Sequence, residues 1–224
     1  MRYLIANWKS TKNINQALEW VSRFNILVKE NKSVLESLTN DDLKIIICPS
    51  FHLLSTLKEN IFDHKNINIG AQDISFFEQG NYTGEVSAQN LKDLIDYSII
   101  GHSERRKYLK ETDNIIDQKI AILKDYAIEP ILCVRDDKDS IPEGVHFIAY
   151  EPVYAIGTGK NENLKDILSS KAKISSKLNS IFIYGGSVNP ENVQEYLGSL
   201  EIHGFLVGNA SKDPESFIQI ASKL

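Results

Sequence analysis

Glu151 stands where an apolar run gives way to a glycine-punctuated loop, in the stretch AYEPVYAIGTGK. Residues 147–150 are apolar on both faces, which is typical of a strand buried in a parallel sheet. Glu151 would then lie at the carboxyl end of that strand, where barrels and open α/β sheets bind their ligands. Gly157 and Gly159 let a ligand approach the backbone closely, so the loop can offer bare N–H groups to an anion.

Four other apolar runs also end in residues that could do chemistry. At these ends stand Asn7, Trp8 and Lys9; His102, Ser103, Glu104, Arg105 and Arg106; Tyr184, Gly185, Gly186 and Ser187; and Gly208, Asn209, Ala210 and Ser211. A carboxylate can act as a base, an imidazole can polarise a carbonyl, and an ammonium group can hold charge developing on oxygen. Glycine-rich turns leading into helices supply N–H groups for phosphate. The set predicts proton transfer next to a carbonyl in a phosphorylated substrate, and no motif indicates a metal, flavin or nicotinamide cofactor.

The elements that must position these residues alternate along the chain. Apolar runs predict strands at 4–7, 44–48, 67–72, 97–100, 130–134, 145–150, 181–184 and 205–207. Helical spacing of apolar residues predicts helices at 14–29, 51–60, 87–93, 103–108, 114–126, 164–178, 190–197 and 213–223. This alternation predicts an α/β fold, a (β/α)8 barrel formed as one domain by residues 1–224.

One connection is too short for the pattern. Only residues 135–144 separate the fifth predicted strand from the sixth. A crossover between parallel strands usually takes a dozen or more residues. We therefore expect the helix after strand five to be short or missing, with the polar stretch DDKDSIPEG passing as a loop.

Composition excludes several classes of protein. The net charge of -5, with no basic block, argues against a nucleic-acid partner, which needs a clustered positive surface. No apolar run approaches the roughly 18 residues of a membrane span, so a cytoplasmic protein is expected. Cys48 and Cys133 each lie in an apolar run without metal-ligand spacing, which predicts buried, reduced thiols.

Five segments together resemble the signature segments of the triosephosphate isomerase family, in the same order along the chain. They are ANWK, GHSERR, AYEPVYAIGTGK, IYGGSVNPEN and GFLVGNAS, and the resemblance covers nearly the full length. It implies a cofactor-independent aldose–ketose isomerase of glycolysis and gluconeogenesis. Its substrates would be the triose phosphates dihydroxyacetone phosphate and D-glyceraldehyde 3-phosphate, interconverted through an enediolate.

The resemblance also implies a role for each strand-end residue. Glu151 would be the base, and His102 a neutral electrophile that donates a hydrogen bond to the enediolate oxygens. Lys9 would hold the phosphate and oxyanion side, with Asn7 orienting the reacting oxygens. Glu104 would be the partner of the lysine, and Tyr184 and Ser187 would hold the closed loop. The phosphate would lie among the amides of Gly157, Ser187, Gly208 and Asn209.

A long polar and aromatic loop predicts that the protein is a homodimer. Residues 79–85, QGNYTGE, resemble the loop with which family members reach into a neighbouring subunit, and Thr83 would touch the partner's site near its Lys9. Phe76, Phe77 and Tyr82 would be costly to leave in water, which also favours a partner.

The chain departs from the family pattern at a few positions. Ser10 and Thr11 follow the lysine, where Met-Asn is usual, and Asn209 replaces a second glycine. Tyr154 replaces the usual tryptophan and Asp136 a glutamate, so we hypothesise that the Tyr154 hydroxyl bonds Asp136 when the loop is open.

Two other functions and one structural reading fit parts of the same sequence. The chain could be another phosphate-binding barrel acting on a different sugar phosphate, or a binding protein that kept the barrel and lost catalysis. Arg106 could belong to a surface salt-bridge cluster as readily as to the site.

Overall fold

Eight parallel strands pair in chain order and close into a barrel in the computed structural model, which describes residues 1–152, 162–174 and 180–224. The strands are β1 Arg2–Asn7, β2 Leu43–Cys48, β3 Ile67–Ala71, β4 Tyr97–Ile100, β5 Glu129–Val134, β6 Phe147–Tyr150, β7 Ile181–Tyr184 and β8 Gly204–Val207. Pairing of β1 with β8, in the register Tyr3 with Gly204, closes the ring. The predicted (β/α)8 barrel is confirmed.

Helices cover the outside of the barrel. They are α1 Ile14–Glu30, α2 Lys32–Thr39, α3 Leu54–Asn60, α4 Ala88–Leu91, α5 Ser103–Tyr108, α6 Asp113–Asp125, α7 Leu164–Ile174 and α8 Pro214–Ala221. The start of α1 shows why the chain turns helical there: Asn13 and Gln16 form a capping box that satisfies two backbone N–H groups. None of the described helices is long and apolar enough to cross a membrane.

The predictions for 190–197 and 87–93 differ from the observed elements, and the one for 164–178 can be compared only in part. The prediction for 190–197 was wrong, because the chain there makes only a 3₁₀ turn, Val193–Tyr196. Asn189 and Asn192 each accept a backbone N–H from the other, which ties the preceding chain into a turn. The helix predicted at 87–93 is the single turn α4, and residues 175–178 of the one predicted at 164–178 lie outside the described residues.

Helix α2 was not predicted at all. Its apolar face consists of only Val34 and Leu38, too few for the helical spacing to be recognised. The Asn31 side chain accepts the N–H of Val34 and so restarts a helix immediately after α1 has ended.

The connection between β5 and β6 has the form that its length predicts. Residues 135–146, all within the described chain, contain no helix. The Arg135 guanidinium makes three contacts with the Asp139 carboxylate, and the same carboxylate accepts the Arg135 backbone N–H at 2.7 Å. Ile141 and Val145 pack against the core in place of a helix.

The core has two layers, one inside the barrel and one between strands and helices. The inner layer consists of the buried side chains of Ile5, Ile46, Cys48, Ile99, Ile131, Cys133, Phe147, Ala149, Ile183 and Leu206. Both cysteines are buried and unbridged, as predicted. Burial raises the pKa of both thiols, so they stay protonated and serve as packing groups.

Candidate active site

The polar strand ends meet at the carboxyl edge of the barrel. Asn7 is the last residue of β1, His102 follows β4 and Glu151 follows β6. The backbone fixes Glu151 there, because its N–H donates to the carbonyl of Val134 at 2.8 Å. The topology therefore brings together side chains that are far apart in the sequence.

Glu151 and His102 form the centre of the site. His102 Nε2 lies 3.0 Å from Glu151 Oε1, and both side chains are nearly completely buried. The other oxygen, Oε2, accepts the N–H of Ser103 at 3.3 Å. His102 Nδ1 accepts the N–H of Glu104 at 3.2 Å, so a neutral ring carries its proton on Nε2 and can donate it toward Glu151.

Burial and neighbouring charges act in opposite directions on the pKa values of Glu151 and His102. Burial is the largest influence on Glu151 and would raise its pKa, but His102, the Ser103 N–H and Lys9 outweigh it and the pKa is lowered. Burial would lower the pKa of His102, yet Glu151 and Glu104 outweigh it and the pKa is raised. The bond accepted at Nδ1 favours the neutral ring, so a ligand that separates His102 from Glu151 removes the main cause of its raised pKa.

Lys9 is held in a backbone conformation that side chains rarely adopt. Its φ is 53°, in the left-handed region. Asn7 Oδ1 accepts the Lys9 N–H at 3.1 Å, and Ser50 Oγ and Gln72 Nε2 both donate to the Lys9 carbonyl. The Lys9 ammonium lies 2.5 Å from Glu104 Oε1. A strained residue fixed by three neighbours indicates a functional constraint on where its side chain lies.

Two cavities meet at Lys9. One, of about 430 Å³, is lined by residues that include Asn7, Lys9, His102 and Glu104. The second, of about 210 Å³, is lined by Lys9, Gly186, Ser187, Val188, Asn189, Gly208, Asn209 and Ala210. A reacting group in the first and an anion in the second would both be within reach of the ammonium group.

Thr83 and Tyr184 do not line either cavity, and two other predicted residues are not described. Gly157 and Tyr154 lie outside the described residues, so the Tyr154 to Asp136 hypothesis is untested; Asp136 Oδ1 accepts the N–H of Lys138. Thr83 is exposed. Tyr184 is buried, and its hydroxyl accepts the N–H of Glu162 at 3.3 Å.

Sequence reasoning missed residues that support the site. Ser50 and Gln72 are single polar residues after strands, without a motif to mark them. Glu162 is buried and accepts the Tyr150 hydroxyl at 3.3 Å, although its sequence context is that of an exposed loop. Arg106 is not on the surface: it is buried, donates to the Gly101 carbonyl and pairs with an acidic side chain.

A second group of charges lies beside the site and was also missed. Its members are Asp73, Arg105, Glu111 and Lys119, which we call the buried cluster. Lys119 Nζ contacts both oxygens of Asp73, at 2.7 and 2.8 Å, and also Glu111. Burial raises the pKa of Asp73 to about 6 against the lowering effect of Lys119.

The fold and the site define a class of protein: a (β/α)8-barrel enzyme with a carboxylate, an imidazole and an ammonium group at its mouth. Within the described part of the chain, no group of His, Cys, Asp or Glu side chains could hold a metal ion.

Comparison with known proteins names the particular family. The family model described as triosephosphate isomerase matches residues 2–224. A triosephosphate isomerase of Thermus thermophilus is 37% identical over 254 aligned positions, covering 98% of this chain and 97% of that protein. Those of Mesomycoplasma hyopneumoniae strain 232 and Aquifex aeolicus are 35% and 34% identical, covering 98% of both chains. The chain belongs to the triosephosphate isomerase family and is an isomerase that interconverts dihydroxyacetone phosphate and D-glyceraldehyde 3-phosphate.

Proposed function

We propose that Glu151, His102, Lys9 and Asn7 carry out this isomerisation. The observation that carries the proposal is the buried contact of 3.0 Å between Glu151 Oε1 and His102 Nε2. A base and a hydrogen-bond donor that meet in a water-poor site can act on the two ends of one small carbonyl compound. The reacting oxygens of the substrate would take the place that Glu151 Oε1 occupies beside His102.

The proposed chemistry moves one proton between neighbouring carbons. The Glu151 carboxylate takes a proton from C1 of dihydroxyacetone phosphate, and the electron pair of the C–H bond forms the enediolate. The hydroxyl proton on O1 passes to O2 beside His102, and Glu151 returns its proton to C2. The product is glyceraldehyde 3-phosphate, and every group of the enzyme is restored.

The developing charge on oxygen needs stabilisation throughout. The Nε2–H of His102 would donate to the enediolate oxygens, and the Lys9 ammonium would lie beside them. Glu104, at 2.5 Å from Lys9 Nζ, would hold the ammonium group until the substrate binds. Asn7, whose Oδ1 accepts the Lys9 N–H, would orient the oxygens with its remaining amide group.

The phosphate of the substrate would occupy the cavity of about 210 Å³. Ser187, Gly208 and Asn209 line this cavity and would offer backbone N–H groups, with the Gly157 N–H added from the loop. Tyr184, which accepts the N–H of Glu162, would hold the end of that loop, and exclusion of water would protect the enediolate.

The proposed working form is a homodimer in the cytoplasm, where the isomerase would serve glycolysis and gluconeogenesis. Residues 1–224 would act as one domain. Tyr82 is 45% exposed and stacks on Phe77, and the loop that carries both would reach into a partner, placing Thr83 near the partner's Lys9. Leu109 is 63% exposed beside the larger cavity, and the corresponding loop of the partner subunit would cover it.

The test of the site is isomerisation of glyceraldehyde 3-phosphate, coupled to a dehydrogenase that reduces dihydroxyacetone phosphate. Glu151→Gln keeps the size of the side chain and removes the base, and circular dichroism would check its fold. Turnover by the native chain and its loss in the variant are expected. Native-like turnover by Glu151→Gln would overturn the assignment, and sedimentation of the native chain as a monomer would overturn the dimer.

A further inference from the structure

The phosphate cavity contains two asparagine side chains whose orientation is fixed by their neighbours. Asn189 and Asn209 both line it, together with Lys9 and Ser187. Asn209 occupies a position for which the sequence indicated only a backbone contribution. In both carboxamides the oxygen accepts hydrogen bonds from neighbouring donors, so the nitrogen remains as the group that can donate to a ligand.

A contact with Lys212 decides which atom of the exposed Asn209 amide is the oxygen. Its Oδ1 lies 3.0 Å from the ammonium of Lys212, which can donate but cannot accept. The turn that carries both residues is fixed at two further points: the Lys12 ammonium donates to the Lys212 carbonyl at 2.7 Å, and the Trp20 indole donates to the Ser211 carbonyl at 3.1 Å.

The Asn189 amide is fixed in the same sense. Its Oδ1 accepts the N–H groups of Glu191 and Asn192, at 3.0 and 2.9 Å. Asn192 in turn donates to the Ser187 carbonyl at 2.8 Å, so the turn is tied to a residue of the phosphate cavity. Within the described chain, neither Asn189 Nδ2 nor Asn209 Nδ2 meets an acceptor.

We propose that Asn189 and Asn209 bind the substrate phosphate through their Nδ2 groups, and that Lys212 is a positioning residue that turns the Asn209 amide toward it. Two carboxamides with their oxygens engaged leave four N–H bonds without a protein acceptor in the lining of this cavity, and a phosphate dianion offers only acceptors. This proposal rests on the proposed function in taking the smaller cavity as the phosphate site.

The test measures inorganic phosphate binding by calorimetry at pH 7.5, which needs no turnover. Asn209→Asp and Asn189→Asp keep the shape and the oxygen acceptor but put a negative charge where the donors were. The control, Asn31→Asp, makes the same change at the start of α2, where Asp caps as well as Asn. We expect affinity to fall about a hundredfold in the two cavity variants and to stay unchanged in the control.

Two further variants separate binding from positioning. Asn209→Gly removes one donor without adding charge, and we expect about a tenfold loss of phosphate affinity. Lys212→Met should lower affinity in the native background and less in the Asn209→Gly background, because its positioning role needs the amide. Equal effects of Lys212→Met in the two backgrounds would overturn the role of Lys212.

The outcomes also separate this inference from the isomerase mechanism. If Asn209→Asp and Asn189→Asp bind phosphate as well as Asn31→Asp while the native chain isomerises, the asparagine assignment is wrong and the catalytic one stands. If the cavity variants alone lose phosphate and Glu151→Gln keeps native turnover, the asparagine assignment stands and the catalytic one falls.

Discussion

Two groups of charged side chains flank the same barrel mouth and are built in opposite ways. The proposed catalytic cluster comprises Lys9, His102, Glu104 and Glu151. Its Lys9 and Glu104 side chains are 28% and 42% exposed and meet in a single contact. In the buried cluster, Lys119 is 2% exposed and is shared between two carboxylates. A ligand can replace a single contact that faces a cavity, whereas a charge surrounded by partners has no place for one. Lys9 is therefore accessible to a ligand, whereas Lys119 stabilises the fold.

The energetic consequence differs as well. Loss of one member of a buried, multiply paired group leaves an uncompensated charge, which costs about 3–5 kcal/mol. A partly exposed pair contributes about 1 kcal/mol or less to stability. Substitutions of Lys9 and Glu104 should therefore change turnover and leave stability almost unchanged, with the reverse result in the buried cluster.

Glu151→Gln should have the largest effect. The variant keeps the volume and the hydrogen bond to His102 but cannot take a proton, so kcat should fall about 10⁴-fold. Turnover and thermal unfolding would be measured on the same preparation. A large fall in melting temperature together with kcat would instead place Glu151 among the structural charges.

Lys119→Met should lower the free energy of unfolding by about 3–5 kcal/mol. Asp73 and Glu111 would then share only the partly exposed Arg105, which leaves one buried carboxylate charge uncompensated. Urea unfolding would measure this loss of free energy. The matched control is Lys65→Met, which removes a surface lysine paired with Asp41 at 2.8 Å and should cost about 1 kcal/mol or less. Equal costs for the two variants would contradict the structural role of the cluster.

The loss of unfolding free energy caused by Lys119→Met should be smaller at low pH than at high pH. The pKa of Asp73 is about 6 in the folded chain against an ordinary 3.8, so the folded state binds the proton more tightly and stability falls as pH rises from about 4 to 6. Burial is the main cause of the raised pKa, and Lys119 opposes it. Removal of the Lys119 charge raises the pKa of Asp73 further and extends the loss of stability above pH 6. The unfolding curves of the variant and the native chain should therefore differ less at pH 5 than at pH 8.

Lys9→Met should lower kcat/KM by about a hundredfold or more, because the ammonium is one of the donors aimed at the developing oxyanion. Stability should change by about 1 kcal/mol or less, since Lys9 is partly exposed and has one ionic partner. Kinetics and urea unfolding of one sample would measure the change in kcat/KM and the change in stability. Loss of folding without a change in kcat/KM would assign Lys9 to the structural charges.

Glu104→Gln should have the smallest effect, a shift in the pH dependence of turnover. Burial lowers the pKa of His102, while Glu151 and then Glu104 raise it. Removal of the Glu104 charge lowers the pKa of His102, so the ring stays neutral to lower pH. The acid limb of the kcat/KM profile should therefore shift to lower pH. Glu36→Gln, an exposed change on α2, is the control, and an equal shift in both variants would exclude a local effect.

Most of the barrel could be predicted because its signals are local. A run of apolar residues marks each strand, and the proposed catalytic residues follow closely after such runs, so topology alone brings Glu151 and His102 together. The missing helix after β5 follows from the number of residues available. Helix α2 and the turn at Val193–Tyr196 could not be predicted, because both depend on where single asparagine side chains find backbone donors.

The buried cluster and the strained Lys9 lie beyond sequence reasoning for a different reason. Asp73, Glu111 and Lys119 belong to separate segments, and each alone has the composition of an exposed loop or helix face. Only the closed barrel brings them into contact. The left-handed backbone of Lys9 is imposed by Asn7, Ser50 and Gln72, which come from three different strand ends.

The short connection between β5 and β6 also bears on how the barrel assembles. Every other pair of consecutive strands is joined by a longer stretch of chain. The entropy lost when two strands meet grows with the length between them, so this pairing is the least costly to form. We expect β5 and β6 to be among the first strands to pair during refolding. Pulsed hydrogen exchange that found their amides protected last would contradict this order.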